Sequence, residues 1–217
     1  MRHGGSGGVR PRRLGVTVER FLADGGRLRG ALLSDGTRVQ AEVCVLALGA
    51  VPNAEWLQGT GVALDRGVVC GADLHIIGLP YAVAAGDIVR WPHPLFDGEA
   101  VSVGHWTNAV EQGVAAAANL LAPPAAREPF ASVPTFWSEQ HGCTLRSAGL
   151  PHLASEAYML EGRIEDGRFL VGYERRGTLV GTLAVNMNRR VPIYRRLVAE
   201  RASMGEAMQV AAGVVRA

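Results

Sequence analysis

Tyr81-Ala82-Val83-Ala84-Ala85-Gly86-Asp87 is a short apolar run that ends on a glycine and a carboxylate. In open α/β sheets the ligand crevice lies at the C-terminal ends of parallel strands, where such a carboxylate would point. On spacing alone the same residues also suit an aspartate that caps the following turn. The flanking sequence must decide between these readings. Downstream, Thr107 to Leu121 is alanine-rich helix material stopped by Pro123-Pro124, and its small face can pack closely on a sheet or a flat ligand. Upstream, a short strand is expected at Val68 to Cys70.

Further out, residues 14 to 49 read as a β-meander. The strands are Val16 to Phe21, Leu28 to Leu33 and Thr37 to Gln40, with turns at Asp24-Gly25-Gly26 and Asp35-Gly36. Val43 to Leu48 is apolar throughout, the pattern of a strand covered on both faces, and it ends at the breaker cluster Gly49-Ala50-Val51-Pro52-Asn53. Residues 122 to 133 read as a linker. Beyond it, Tyr158 to Ile164, Phe169 to Tyr173 and Leu179 to Val185 alternate with Glu165-Asp166-Gly167 and Arg176-Gly177, which predicts a three-stranded antiparallel sheet. A helix from about Val191 to Ser203, with Pro192 in its first turn, closes that sheet.

Composition narrows the function classes. The chain has 217 residues, 48% of them hydrophobic and 19% charged, enough to bury a substantial core. The longest uncharged stretches fall short of the roughly 18 apolar residues of a membrane span, and no apolar leader opens the sequence, so a cytoplasmic location without membrane contact is expected. All 22 basic residues are arginine against 20 acids, a net charge of +2 that gives no reason to expect nucleic-acid binding. Arg189, Arg190, Arg195, Arg196 and Arg201 crowd the last helical segment, either as a solvated basic face or as a docking surface for an acidic partner. Cys44, Cys70 and Cys143 are too widely spaced for a disulfide framework, and the histidines are scattered without metal-ligand spacing.

Four segments in order carry a resemblance: Gly49-Ala50-Val51-Pro52-Asn53, Tyr81 to Asp87, His105-Trp106-Thr107-Asn108-Ala109-Val110-Glu111-Gln112-Gly113, and Val133-Pro134-Thr135-Phe136-Trp137-Ser138-Glu139-Gln140. Together they resemble the second half of FAD-dependent ferredoxin and rubredoxin reductases, and the likeness continues through Leu145 to Pro151 and Leu179 to Arg190. The implied fold class is α/β: the second half of a flavoprotein with two dinucleotide-binding domains, followed by a C-terminal α+β interface domain. On that template residues 1–13 form a disordered N-terminus and 14–49 close the NAD(P)H-binding domain. Residues 50–125 then form the second segment of the FAD-binding domain, and 134–217 the interface domain. Members of the family pass electrons from NAD(P)H through FAD to a small iron-sulfur protein.

The same likeness implies roles for individual residues. Gly86 and Asp87 resemble the turn whose aspartate accepts a hydrogen bond from a ribityl hydroxyl of FAD. Trp106 and Thr107 open the helix whose N-terminal N–H groups would face the pyrimidine side of the flavin, favouring the negative charge that reduction builds there. Trp137 resembles the aromatic that the interface domain brings beside the flavin. Both tryptophans could instead serve ordinary packing. No catalytic side chain and no metal ligand is implied.

Departures from the family pattern are specific. Ser102-Val103-Gly104 stands where the family often has Arg-x-Glu, Gly71 stands where an aspartate is common, and the helix from Thr107 carries no arginine before Arg127. Gly4-Gly5-Ser6-Gly7-Gly8 has no preceding strand and puts Arg10 where a last glycine is needed, so it is not a phosphate loop. The chain is therefore expected to be a fragment that lacks an N-terminal half and is inactive alone. Its partners would be that half and a ferredoxin-type iron-sulfur protein, with a homodimer as a further option. The alternative reading is a non-catalytic remnant acting as a dimerisation or partner-binding module. A disulfide reductase is disfavoured, since no His-x-x-x-x-Glu follows residue 152.

Overall fold

A computed structural model describes residues 12–213, so the Gly4 to Gly8 stretch and most of the expected disordered N-terminus lie outside the described residues. The chain divides into two compact units, Met1–Ala50 and Val51–Ala217. In the first, β1 (Val18–Asp24), β2 (Arg27–Leu33) and β3 (Arg38–Gln40) form an antiparallel meander in that order. Gly25 and Gly26 close the first hairpin with φ of 54° and 76°, the positive values that a type I′ turn requires at both central residues. The expected strand at Val43 to Leu48 is absent: the segment has no ladder partner among the described residues, and Val43, Val45, Leu46 and Leu48 are all exposed. An apolar run becomes a strand only where another backbone pairs with it.

The second unit begins with β4 (Val68–Val69), which runs parallel to β7 (Val89–His93); β8 (Glu99–Val101) then pairs antiparallel with β7. Between them β5 (His75–Ile76) and β6 (Leu79–Val83) form an antiparallel hairpin. The strand that leads into Gly86-Asp87 is therefore a hairpin arm rather than a parallel strand, because β5 is its only neighbour among the described residues. Buried Val68, Leu74, Val89 and Trp91 form this end of the core.

Helix α1 (Trp106–Leu121) follows and packs on β5, β6 and the start of β9 (Thr135–Gln140). The segment read as a linker is a pinned strap. Asn119 donates to Glu128 O and accepts from Glu128 N, Phe130 N–H reaches Ala72 O, and Phe130 and Val133 are buried. Three apolar or amide anchors within a dozen residues outweigh its proline-rich composition.

The C-terminal sheet has two more strands than the hairpin signals indicate. β9 and β10 (Cys143–Gly149) join β11 (Glu156–Arg163), β12 (Arg168–Arg175) and β13 (Thr178–Val185) in the order β11-β12-β13-β10-β9, antiparallel throughout. The expected single closing helix is two, α2 (Val191–Ala199) and α3 (Met204–Ala211). Ser203 and Glu206 form a reciprocal capping box, Ser203 Oγ accepting from Glu206 N at 3.2 Å and Glu206 Oε2 from Ser203 N at 2.7 Å, so a new helix starts there. Both helices pack on this sheet, α2 through buried Val191, Tyr194, Leu197 and Val198.

Candidate functional site

Gly86, at φ 87°, turns the chain between β6 and β7, and the Val89 N–H closes the turn on Gly86 O at 3.0 Å. The next backbone group is held from the helix: Gly86 N–H donates to Gln112 Oε1 at 2.8 Å. Asp87 is exposed, and its carboxylate accepts no hydrogen bond among the described residues. It does not cap its own turn, which the backbone closes unaided. A Cβ built on Gly104 would stand 3.6 Å from Asp87 Oδ2, and one built on Gly86 would stand 3.6 Å from Ala109 Cβ. The carboxylate therefore sits beside the last residues before α1.

The helix start is equally open. His105 is the N-cap residue but makes no side-chain capping bond, and no acid stands in the first turn, so the N–H groups and the positive end of the dipole are free. Trp106 is 79% exposed. Thr107 Oγ1 donates to Thr135 O at 3.0 Å and lies 3.2 Å from Thr135 Oγ1, tying the helix start to β9. Two residues along β9 stands Trp137, 51% exposed. The Gly86-Asp87 turn, helix α1 and the strand bearing Trp137 are thus joined by hydrogen bonds through Gly86 and Thr107, whereas the Thr107 hydroxyl is consumed as a clamp and has no proton left for a ligand. Burial holds the His105 imidazole below its ordinary value, with the Asp87 charge opposing that shift.

Sequence reasoning missed the residues that hold these parts in place. Asn108 Nδ2 donates to Val103 O at 3.1 Å, Gln112 fixes Gly86, and Asn119 fixes the strap through Asp73 O and Glu128. The signal was present as three amides on one stripe of α1, at intervals of four and seven residues. Gly104 was noted only as a departure, yet it stands next to Asp87, where a Cβ would lie 3.6 Å from the carboxylate. The C-terminal arginines are largely paired within the chain: Arg190 with Glu161, Arg195 with Glu111, Arg196 with Glu200 and Arg201 with Asp97.

Residues 8–113 match the pyridine nucleotide-disulphide oxidoreductase family, and residues 135–214 match the reductase C-terminal family. The solved ferredoxin reductase from Rhodopseudomonas palustris superposes with a TM-score of 0.78 at 26% identity, over 87% of this chain and 45% of that one. This chain belongs to the ferredoxin reductase flavoproteins. Among curated members of that family, the ferredoxin–NAD(+) reductase component of an anthranilate 1,2-dioxygenase system from Burkholderia cepacia is 34% identical over 172 residues, which is 78% of this chain and 41% of the relative. Apoptosis-inducing factor 3 of Mus musculus is 31% identical over 193 residues, 88% of this chain and 31% of that protein. The chain thus spans less than half the length of each of these proteins.

Proposed function

We propose that this chain supplies the ribityl-side and pyrimidine-side contacts of an FAD site, in a reductase that passes electrons from NAD(P)H to a small iron-sulfur protein. One observation carries the reading: an exposed carboxylate with no partner among the described residues, beside a side-chain-free residue, next to an uncapped helix start. These features fit a flavin. Asp87 would accept from a ribityl hydroxyl, Gly86 and Gly104 would allow close approach, and the free N–H groups of α1 would face the pyrimidine edge. Bound FAD would supply hydride acceptance from NAD(P)H and single-electron release. The chain's own part is to bind, orient and stabilise negative charge at the helix end.

Trp137 would mark the face toward the electron acceptor. Arg146 stands directly opposite it across the β9–β10 pair, placing a cation beside the exposed indole, as an acidic iron-sulfur partner would favour. Residues 14–49, 50–125 and 134–217 would then correspond to the end of an NAD(P)H domain, the second FAD segment and the interface domain, in a cytoplasmic enzyme. No helix among the described residues is long and apolar enough to cross a membrane.

The test is FAD titration into the chain combined with the N-terminal portion of the Burkholderia relative that it does not match. Asp87→Ala should weaken FAD binding by about 10- to 150-fold, the loss expected for one hydrogen bond to a charged group. Asp87→Asn should lose less, and urea midpoints should barely move. Unchanged affinity in both variants would remove the flavin reading. A second reading, a dimerisation or partner-binding module, is favoured by the uncovered apolar face of α1. It would gain if the chain alone sediments as a stable dimer and the combined chains take up no FAD.

A further inference from the structure

Phe136 and Trp137 are consecutive on β9, so their side chains leave opposite faces of the C-terminal sheet. Trp137 belongs to the site described above; Phe136 looks the other way, into a cavity of about 350 Å³. Its floor is three adjacent strands of one sheet, with Phe136 opposite Ser147 and Ser147 opposite Leu183. His105, Pro151 and Tyr173 stand around that floor. Gly149, at φ 80°, lets β10 close tightly on β13 at the edge of the cavity, since a Cβ there would fall 2.3 Å from Val180 O.

Two polar atoms in this cavity lack partners among the described residues. Ser147 is only 1% exposed, yet its Oγ makes no hydrogen bond, and His105 Nδ1 is also buried and unpaired. A buried hydroxyl without a partner loses its bonds to water and gains nothing in return, so each such group calls for a ligand or a bound water. The His105 and Phe136 rings lie 5.3 Å apart, tilted by 54°, giving one side of the cavity an aromatic wall. None of the lining residues is Asp, Glu, Lys or Arg; the only basic groups there are His105 and His152, and burial disfavours a charge on His105, so an uncharged ligand is favoured. The volume sits at the low end for small-molecule sites, room for about one ring and its substituent.

We propose that this cavity binds a small uncharged aromatic compound bearing a hydroxyl, its ring against Phe136 and Leu183 and its hydroxyl shared between Ser147 Oγ and His105 Nδ1. A hydroxyl both donates and accepts, so one group can satisfy both orphaned atoms. The cavity shares Gly104 and His105 with the start of α1 and so adjoins the proposed flavin contacts, but the two readings are tested apart, phenol on this chain alone and FAD on the combined chains.

Phenol is the probe, with toluene as the ring lacking the hydroxyl and benzoate as the charged ring, each titrated into the full chain and followed by protein NMR. Phenol is expected to bind with a Kd of about 1 mM or tighter, ahead of toluene and well ahead of benzoate. Ser147→Ala should cost phenol about fivefold to tenfold and leave toluene unchanged. Leu183→Phe, which fills the cavity, should abolish both. Circular dichroism checks that each variant is folded, and either variant alone tests the assignment. No phenol binding, benzoate binding as tightly as phenol, or phenol binding that survives both variants would overturn it and leave bound water as the partner of Ser147.

Discussion

Helices α1 and α2 belong to the same compact unit but bury opposite kinds of face. Against its sheet α2 sets Val191, Tyr194, Leu197 and Val198. Helix α1 turns Asn108, Gln112, Ala116 and Asn119 inward and leaves Trp106, Val110, Val114 and Leu121 in the open. A water-facing helix normally does the reverse. The C-terminal sheet with α2 and α3 is thus complete in itself, while α1 is bound to its own chain by amide hydrogen bonds and keeps its apolar stripe free. The difference separates a finished layer from one whose other side is meant to be covered.

The largest expected effect lies in the finished layer. Leu197→Ala removes a buried side chain from α2 and should destabilise the unit by about 2 to 5 kcal/mol, read as a lowered urea midpoint. A loss under about 1 kcal/mol would mean that the sheet and α2 are less closely packed than their burial implies.

The second effect is set by pH and belongs to the core on the α1 side. His93 is fully buried; its Nδ1 accepts from Leu95 N–H at 3.3 Å and its Nε2 donates to Ser132 O at 3.0 Å, so both ring nitrogens are used by the neutral form. Burial, only partly opposed by the Ser132 carbonyl, lowers its pKa to about 4. Because the folded value lies below the unfolded one of about 6.5, the contribution is complete above that pH and is lost as pH falls toward 4. The loss amounts to about 3 kcal/mol. His93→Gln should flatten this part of the stability profile; an unchanged slope between pH 6.5 and 4 would assign the acid sensitivity to other groups.

Gln112→Ala tests the amide face itself. The change strands the Gly86 N–H and should cost about 1 to 3 kcal/mol. It should also loosen the Asp87 turn, visible as faster amide exchange at Gly86. A neutral result would mean that water replaces the amide readily.

How much of this was legible in the sequence depended on whether a signal was local. The β1–β2 and β12–β13 hairpins announce themselves through Gly25-Gly26 and Arg176-Gly177, and α1 begins within one residue of its expected start. The β9–β10 hairpin turns on His141-Gly142, with φ of 50° and 77°, the same geometry with histidine where asparagine or aspartate usually signals it. Two strands went unseen for that reason. Val43 to Leu48 failed in the other direction, since apolar composition is local but a strand's partner is not. In the site, Asp87, Trp106 and Trp137 could be named from motifs, but Gln112, Thr135 and Gly104 work through contacts made across long separations.

The smallest effect is the one that most sharpens the comparison. Val114 is 70% exposed on the free face of α1, and Val and Ser have similar helix propensities. Val114→Ser in the chain alone should therefore change stability by no more than about 0.5 kcal/mol. If the stripe is a contact surface, the same substitution becomes costly once the surface is covered. It should weaken association with the N-terminal portion of a full-length relative, measured by analytical ultracentrifugation, and Val110→Ser on the same stripe should act alike. Leu197→Ala gives the opposite signature, a large loss in the chain alone that association does not enlarge. Were Val114→Ser to leave association unchanged while Val110→Ser did the same, the exposed stripe would be an ordinary solvent face, and the contrast between the two helices would reflect only how α1 is anchored.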